Sequence, residues 1–413
     1  MRRVVVTGIG MITALGTGVE KTWSRLKAGE CGIKKIESFD PEKTAVKIAG
    51  EVTDFNPLDF GIEKKEVKKL ARNTQFAIAA AKMALEDAKF EITDENATSV
   101  GTIVSSGIGG MEIFEAQHKV LLNKGNRRVS PFTIPGMIAN MASGNVGIYT
   151  GAKGPNKSIV TACAAGTHSI GDAFEMIKNG RVDTMIAGGT EACITDFAIT
   201  GFANMKALSG RNDEPTKASR PFNADRDGFV MGEGAGILIL EELEQAKARG
   251  AKIYAEIIGY GETCDAHHIT SPGPGGEGAA RAFEMAIKEG NIDKSTVDYI
   301  NAHGTSTPAN DKLETMAIKS ALGEFANNVA VSSTKGATGH ALGAAGGIEG
   351  AILALAIDEG IMPPTINYEN PDEECDLDYV PNEARKKEIR VGLSSSLGFG
   401  GHNAVIAMKK YEN

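Results

Sequence analysis

The segment Lys157-Ser-Ile-Val-Thr-Ala-Cys163-Ala-Ala-Gly166-Thr-His168-Ser-Ile170 changes from a β-branched run to a small-residue helix pattern, with a cysteine at the change. This order predicts a strand that turns into a helix with Cys163 at the helix N-terminus. Unpaired N–H groups and the helix dipole there favour thiolate over thiol and can bind an oxyanion. A cysteine among alanines also fits a small buried hydrophobic residue, so other parts of the chain must decide between these interpretations.

The same strand-to-helix order recurs in the second half of the chain. Val329-Ala-Val-Ser-Ser-Thr-Lys335 leads into a helix predicted from about His340 to Gly360. Further matching pairs follow in the same order: residues 3–8 and 255–259, 75–85 and 279–287, 100–107 and 297–304, 183–189 and 389–395, and 234–240 and 402–408. We therefore expect an internally duplicated α/β chain, with halves at residues 1–251 and 252–413, whose apolar sheets are buried between helices.

Composition limits the class of protein. The 413 residues are 42% hydrophobic and 23% charged, which is typical of a globular enzyme. The chain enters a predicted strand at Arg3 and has no apolar run of membrane-spanning length, so we expect no signal peptide and no membrane segment. Five cysteines without a C-x-x-C pair argue against a disulfide framework or a structural zinc site and favour the cytoplasm. A net charge of −9 disfavours nucleic-acid binding, so an acidic partner needs a local basic patch.

Two histidines lie on loops that the repeat brings near Cys163. His303 follows a predicted strand in Asn301-Ala-His303-Gly-Thr305-Ser-Thr307, and His340 opens a predicted helix. Each alone is typical of a structural histidine with a local partner. Together with a cysteine they fit thiolate attack on a thioester, followed by stabilisation of an enolate by two imidazole N–H groups. A hydrolase typically uses one histidine oriented by an acid or an amide.

Four motifs carry a family resemblance that spans nearly the whole chain. They are Thr161-Ala-Cys163-Ala-Ala-Gly166, Asn301-Ala-His303-Gly-Thr305-Ser-Thr307, Ser333-Thr-Lys335 to Gly339-His340, and Leu397-Gly-Phe399-Gly-Gly401-His-Asn403. In this order they resemble the β-ketoacyl-[acyl-carrier-protein] synthases. The segment Ser105-Ser-Gly107-Ile108-Gly-Gly110-Met is similar to the acyl-pocket segment of the synthase II subgroup of bacterial fatty-acid synthesis. The resemblance implies a thiolase-like fold of five layers, αβαβα.

The resemblance also implies a role for each motif residue. Cys163 accepts the acyl chain from acyl-carrier protein, and the N–H groups of Cys163 and Phe399 form the oxyanion hole. His303 and His340 stabilise the enolate formed when malonyl-carrier protein loses CO₂, with Lys335 behind them. The product is a 3-oxoacyl chain two carbons longer. Residues expected to contact substrate are Thr305 and Thr307 at the pantetheine arm and Ile108, Phe202 and Phe399 at the pocket wall and gate. No cofactor and no metal are implied.

Partners follow from the same resemblance. Basic residues at positions where the family docks acidic carrier protein are Lys65, Lys68, Lys69, Arg127, Arg128 and Lys206. A solvated charged face is the alternative interpretation of such clusters. The family also forms homodimers, which we expect here.

The sequence departs from the family pattern at a few positions. Ser395 stands where many members have Asn, and Gly336-Ala337 replaces a serine-containing pair after Lys335. Thr133 replaces a larger residue in a segment that the family shares across its dimer interface. None of these removes a catalytic group, but they leave open the stiffness of the gate and histidine loops and the acyl-chain preference.

Other functions fit less well. Gly8-Ile-Gly10 lacks the third glycine of a dinucleotide site, and Cys264-Asp265-Ala-His267-His268 has no second cluster of metal ligands. A degradative thiolase needs a second catalytic cysteine where this chain has Gly398-Phe-Gly-Gly401, and a chain-initiating synthase has Asn in place of His340. A polyketide-type ketosynthase and a non-catalytic chain-length subunit remain the alternatives to fatty-acid elongation.

Overall fold

The computed structural model describes residues 1–412. The strands are β1 (Val4–Thr13), β2 (Gly16–Thr17), β3 (Lys34–Lys35), β4 (Ile48–Ala49), β5 (Val100–Ser105), β6 (Asn156–Lys157), β7 (Thr184–Glu191), β8 (Gly234–Glu242), β9 (Ala255–Cys264), β10 (Val297–Asn301), β11 (Ala330–Ser332), β12 (Ile361–Met362), β13 (Arg385–Lys386), β14 (Val391–Gly398) and β15 (His402–Lys409). The helices are α1 (Val19–Lys27), α2 (Lys64–Val67), α3 (Arg72–Asp87), α4 (Met111–Lys124), α5 (Thr133–Met137), α6 (Met141–Thr150), α7 (Ala165–Lys178), α8 (Asp196–Asn204), α9 (Pro215–Ala218), α10 (Leu243–Ala248), α11 (Glu277–Glu289), α12 (Pro308–Leu322), α13 (Lys335–Thr338) and α14 (Ala345–Glu359).

The predicted duplication is confirmed by the strand order. The first half runs β6-β5-β7-β8-β1 across its sheet, and the second runs β11-β10-β14-β15-β9, so equivalent strands occupy equivalent places. The two sheets are joined at one edge, because three residues of β1, Val4–Val6, pair antiparallel with Ala255–Ile257 of β9. The sheets of the two halves are therefore hydrogen-bonded to each other at this edge and form one continuous sheet.

Helices cover both faces and fill the space between the halves. α7 and α14 pack against each other, and α14 also contacts β8 and β14. The whole of α14 from Ala345 to Ile357 is buried, which explains why its sequence is apolar on every face. α3 covers β1 and β8 on one outer side, and α11 covers β9 and β15 on the other. The predicted five layers, αβαβα, are confirmed. None of the helices in the described chain is long and apolar enough to cross a bilayer.

The strand predicted directly before Cys163 is mostly absent. Only Asn156–Lys157 pairs with β5, and the β-branched run that follows is held by side chains instead. The N–H of Ile159 donates to Ser105 Oγ at 2.8 Å, and Ser158 Oγ donates to the Val104 carbonyl at 3.2 Å. Serine hydroxyls compete with the ladder for these backbone groups, so the run stays extended without becoming a strand.

Candidate active site

A cavity of about 450 Å³ brings together residues from both halves of the chain. Among its lining residues are nine that the sequence singled out: Ile108, Cys163, Phe202, Lys206, His303, Thr305, Thr307, His340 and Phe399. Lys335 does not line the cavity and lies behind it, with its Nζ 2.5 Å from the carbonyl oxygen of His303. The loops that the duplication was expected to bring together do meet at one site.

Cys163 lies on a strained turn that the second half repeats. The 3-10 turn Ala162–Ala164 runs directly into α7, as the turn Leu342–Ala344 runs into α14. The residue before Cys163, Ala162, has φ +49°, and its counterpart Leu342 has φ +44°. Left-handed backbone at two non-glycine residues is costly, and such strain is typical of active-site turns. The structural counterpart of Cys163 is therefore Gly343, three residues after His340.

The environment of the Cys163 thiol keeps it protonated at rest. Burial raises the pKa of the thiol to about 12, and the charge of Lys335 and the N–H groups of Phe399 and Cys163 lower this pKa by less. Desolvation therefore outweighs the charge of Lys335 and these N–H groups, and the thiolate predicted from the sequence is wrong for the resting protein. The N–H groups of Cys163 and Phe399, predicted to form the oxyanion hole, both lower the pKa of the Cys163 thiol.

Alkylation tests this protonation state. We expect Cys163 to react slowly with iodoacetamide at pH 7 and about tenfold faster per pH unit up to pH 9, because the thiolate fraction rises tenfold per unit below the pKa. Peptide mass spectrometry measures the rate, with exposed Cys264 as the internal comparison. A rate at Cys163 that stays flat over this range would identify a resting thiolate.

The two histidines form a buried, uncharged pair. Their ring centroids are 5.2 Å apart and the rings are nearly perpendicular, at 87°. Burial lowers the pKa of both imidazoles well below the usual value, and the nearby charge of Lys335 lowers it further. Neutral imidazoles each carry one N–H donor, so the pair can donate two hydrogen bonds to one developing negative charge.

Lys335 is held by a buried carboxylate that the sequence analysis missed. Lys335 and Glu349 are each 2% exposed, and they form an ion pair through Nζ and Oε1. Glu349 lies in α14, where it is the lone acid in a run of alanine, glycine, isoleucine and leucine from 345 to 357. A lone acid in an apolar helix was the available signal, because such a group needs a buried partner.

A second buried carboxylate holds the backbone of the His303 loop. Glu314 of α12 accepts hydrogen bonds from the N–H of His303 at 2.7 Å and from the N–H of Gly304 at 2.7 Å. Ser395 Oγ donates to the same carboxylate at 2.8 Å. Ser395, where many family members have Asn, thus supports the His303 loop through its hydrogen bond to Glu314. Nothing in the sequence around Glu314 distinguishes it from a surface acid on an amphipathic helix.

Aromatic rings connect the predicted gate to His340. The ring centroids of Phe399 and Phe202 are 6.4 Å apart, those of Phe202 and Phe229 are 5.5 Å apart, and those of Phe229 and His340 are 5.2 Å apart. Thr305 and Thr307 line the same cavity, and their Oγ1 atoms are 2.9 Å apart. The cavity therefore has an apolar wall beside Cys163 and a polar hydroxyl pair among its lining residues.

The basic residues lie on the surface. Lys65 and Lys69 pair with Glu63 and Glu66 in their own segment, and Lys69 Nζ also lies 4.9 Å from the ring centroid of Phe132. The remaining members of the set, Lys68, Arg127, Arg128 and Lys206, are exposed. Lys68, Lys69 and Phe132 share a surface pocket of about 400 Å³. Lys206 lines the active-site cavity itself.

The other sequence features have local explanations. Gly336 faces the side chain of Ile366, and a Cβ at this position would approach Ile366 Cγ1 to 2.9 Å, so a serine there needs that side chain to shift. Thr133 Oγ1 donates to the Ser130 carbonyl at 2.6 Å. Asp265, from the segment weighed as a metal site, lines the cavity. Among residues 1–412, no group of three or more His, Cys, Asp or Glu side chains is arranged to hold a metal ion.

Family models match both halves of the chain. The model of the beta-ketoacyl synthase N-terminal domain matches residues 1–246, and that of the beta-ketoacyl synthase C-terminal domain matches residues 254–369. The curated 3-oxoacyl-[acyl-carrier-protein] synthase 2 of Synechocystis sp. is 56% identical over 411 residues, covering 100% of this chain and 99% of that protein.

Solved structures show the same fold. A beta-ketoacyl synthase from Burkholderia phymatum superposes with a TM-score of 0.92 at 34% identity, covering 100% of both chains. A type II polyketide ketosynthase in complex with its acyl-carrier protein superposes with a TM-score of 0.91 at 37% identity, again covering 100% of both chains. The thiolase-like fold expected from the resemblance is confirmed, and the chain belongs to the beta-ketoacyl synthase family.

Proposed function

We propose that this protein is a 3-oxoacyl-[acyl-carrier-protein] synthase of the synthase II type. It takes an acyl chain from acyl-carrier protein onto Cys163 and condenses it with malonyl-carrier protein. The products are 3-oxoacyl-carrier protein, CO₂ and free carrier protein. The observation that carries the proposal is the meeting of Cys163, His303 and His340 in one cavity, in a chain 56% identical to a curated synthase 2.

The protonation states favour a direct acyl transfer. Proton transfer from a thiol of pKa about 12 to an imidazole whose pKa lies below its usual value is strongly unfavourable. The Cys163 sulfur attacks the thioester carbonyl as its S–H bond breaks, and the N–H groups of Cys163 and Phe399 bind the resulting oxyanion. The proton ends on the leaving carrier thiolate, because the acylated Cys163 sulfur can no longer hold it. The lower pKa of an ordinary thiol also makes the carrier sulfur the better leaving group. The histidines stay neutral throughout this step.

Condensation then uses the histidine N–H groups. When malonyl-carrier protein loses CO₂, the electron pair of the broken carbon–carbon bond forms an enolate, and His303 and His340 donate to its oxygen. The enolate carbon attacks the acyl-cysteine carbonyl, which forms the new carbon–carbon bond. The Cys163 sulfur leaves as a thiolate and regains a proton from solvent. Lys335 and Glu314 bond to the backbone of His303 and so keep the histidine loop in place during decarboxylation and condensation.

Intact-mass spectrometry tests the proposal. Incubation with acyl-carrier protein should add one acyl mass at Cys163, and adding malonyl-carrier protein should remove it with formation of 3-oxoacyl product. Hydrolysis of the adduct without that product contradicts condensation, and no adduct at all identifies a non-catalytic subunit. A panel of saturated acyl and 3-oxoacyl carrier substrates separates fatty-acid from polyketide elongation, since only the former should prefer saturated chains.

We propose that Lys65, Lys68, Lys69, Arg127, Arg128 and Lys206 dock the acidic carrier protein. Reversing Lys65, Lys68 and Lys69 to Glu should raise KM for carrier-bound substrate about tenfold or more, because attraction at the patch becomes repulsion. Acylation by a small thioester should survive. The matched control reverses exposed Lys386, the last residue of β13, and its neighbour Lys387, and should leave KM unchanged. An unchanged KM in the triple variant would contradict the docking site.

We also propose a homodimer with its interface on the first half. α4, α5, α6 and β6 contact one another in sequence and present an apolar surface at the edge of the sheet. Exposed apolar residues on these helices and in the segment after β6 include Leu122, Ile134, Ile148 and Val160, at 57% to 73% exposure. A patch of this kind is typical of a protein interface. Light scattering should show a dimer for the wild type. It should show a monomer for Val160→Lys, because this substitution places a charge in the proposed interface, beside the strand edge.

Two smaller proposals concern organisation. We place the boundary between the halves at residues 251 and 252, because α10 ends at Ala248 and β9 begins at Ala255. We place the protein in the cytoplasm, because all five cysteines are free. Limited proteolysis between Ala248 and Ala255 and cell fractionation test these two assignments.

A further inference from the structure

Glu191 is a buried carboxylate beside the active site that the condensation does not use directly. It is the last residue of β7 and is 0% exposed. Its carboxylate accepts hydrogen bonds from Ser106 Oγ at 2.7 Å, from the N–H of Gly107 at 2.8 Å and from the N–H of Gly343 at 3.1 Å. These donors are uncharged, and Glu191 takes part in none of the ion pairs found within residues 1–412. A buried charge held this way is costly and needs a reason.

The donors belong to two different loops that meet at this carboxylate. Gly107 precedes Ile108, which lines the cavity with Cys163. Gly343 is the counterpart of Cys163 on the repeated turn. A Cβ at Gly343 would lie 2.2 Å from the Gly107 nitrogen and 2.8 Å from Glu191 Oε2, so the loops leave no room for a side chain between them.

A carboxylate suits this junction better than any neutral side chain. It is an acceptor only, with two oxygens that can take several N–H and O–H donors at once. Hydrogen bonds to a charged acceptor are also about twice as strong as neutral ones. Glu191 therefore joins the acyl-pocket loop to the repeated turn with a rigidity that an amide cannot reproduce.

The charge of Glu191 also reaches the nucleophile. It is one of the groups that raise the pKa of the Cys163 thiol, after burial itself. Burial in turn raises the pKa of Glu191 to about 7, while its hydrogen-bond donors lower it. The carboxylate thus contacts the pocket loop and acts electrostatically on the sulfur that the pocket serves.

We propose that Glu191 is a positioning residue for the acyl-transfer step, which holds the loop of Ile108 against the turn at Gly343 and so fixes the acyl pocket relative to Cys163. The inference rests on the proposed function, since it assumes that an acyl chain enters beside Ile108. Glu191 touches neither the substrate nor the reacting atoms in this role.

The test compares Glu191→Gln with wild type in two assays. Gly107 and Gly343 both donate to Oε2, so a glutamine keeps these two bonds only with its NH₂ group at the Oε1 position. There Ser106 Oγ loses its acceptor and faces a donor, while it already accepts from Asn73 Nδ2 and the Gly109 N–H. We expect transfer from acyl-carrier protein to Cys163 to slow about tenfold or more, with a larger loss for long acyl chains than for short ones. Iodoacetamide alkylation of Cys163 at pH 8 should become several-fold faster, because the neighbouring negative charge is gone.

Two controls separate positioning from general damage. Glu241 is 1% exposed on β8, the strand paired with β7, and it bonds to Thr7 and Arg249 away from the cavity. Glu241→Gln should therefore lose stability without changing the chain-length ratio or the alkylation rate. Ser106→Ala removes one donor but keeps the carboxyl group, so it should slow acyl transfer and speed alkylation less than Glu191→Gln does. If Glu191→Gln fails to fold, Ser106→Ala and Glu191→Asp are compared with wild type in the same acyl-transfer and alkylation assays.

The outcomes are distinct from those that test the proposed function. The inference is overturned if Glu191→Gln behaves like Glu241→Gln in acyl transfer and chain-length ratio, or if its alkylation rate equals that of wild type. If wild type itself takes no acyl chain from carrier protein, the proposed function fails. The alkylation comparison then still decides whether Glu191 acts on Cys163.

Discussion

Cys163→Ala should abolish condensation, with a loss of more than about 10⁴-fold in kcat, because the acyl-enzyme can no longer form. The fold should be retained. The side chain is 7% exposed and loses only its sulfur, so the melting temperature should change by a few degrees at most. Release of ¹⁴CO₂ from malonyl-carrier protein should continue, since the enolate donors His303 and His340 remain.

The product assay and the CO₂ assay are both needed for this variant. A variant that has lost condensation and decarboxylation together would have lost the site, not only the nucleophile. Cys163→Ser is the conservative control, which keeps the shape and has a less acidic, poorer nucleophile. Condensation by Cys163→Ala at the wild-type rate would refute the assignment of the nucleophile.

Lys335→Met should lower the free energy of unfolding by about 3–5 kcal/mol, the usual cost of removing one partner of a buried ion pair. Burial already raises the pKa of Glu349 to about 7, and Lys335 is the charge that lowers it. Without Lys335 the carboxyl pKa rises further, so Glu349 is neutral at low pH and charged only at higher pH. The loss of stability should therefore be larger at pH 8 than at pH 6, as measured by chemical denaturation.

A double variant separates stability from activity. Lys335→Met combined with Glu349→Leu replaces both charges by apolar groups and should recover most of the lost stability. Condensation should stay impaired, because the Nζ donor to the His303 carbonyl is missing and the charge that lowers both imidazole pKa values is gone. A double variant that recovers full activity would show that Lys335 matters only for folding.

The sequence predicted the parts of the site that repeat or stand at strand ends. The duplication placed Cys163, His303 and His340 on loops that meet, and the structure brings them into one cavity. The sequence did not reveal the carboxylates that lie behind these residues. Glu191, Glu314 and Glu349 act through contacts with residues between 10 and 152 positions away, as Glu314 with Gly304 and Glu191 with Gly343 show. Such pairings depend on the packed fold, and of the three only Glu349 leaves a local pattern, as a lone acid in an apolar helix.

Two predictions failed for physical reasons that local sequence does not contain. The strand before Cys163 is short because the hydroxyl of Ser105 takes the backbone N–H of Ile159. The thiolate is absent because burial raises the pKa of the Cys163 thiol more than Lys335 and the nearby N–H groups lower it. Both depend on neighbours that arrive from elsewhere in the chain.

The repeated strained turn also explains why a symmetric scaffold carries one reaction centre. Ala162 and Leu342 bend the backbone alike, so the two halves offer two equivalent places for a nucleophile. At the second place the backbone of Gly107 comes so close that a Cβ would lie 2.2 Å from its nitrogen. The repeated turn therefore has no room for a second nucleophilic side chain, which leaves Cys163 as the single proposed acyl acceptor of the two turns.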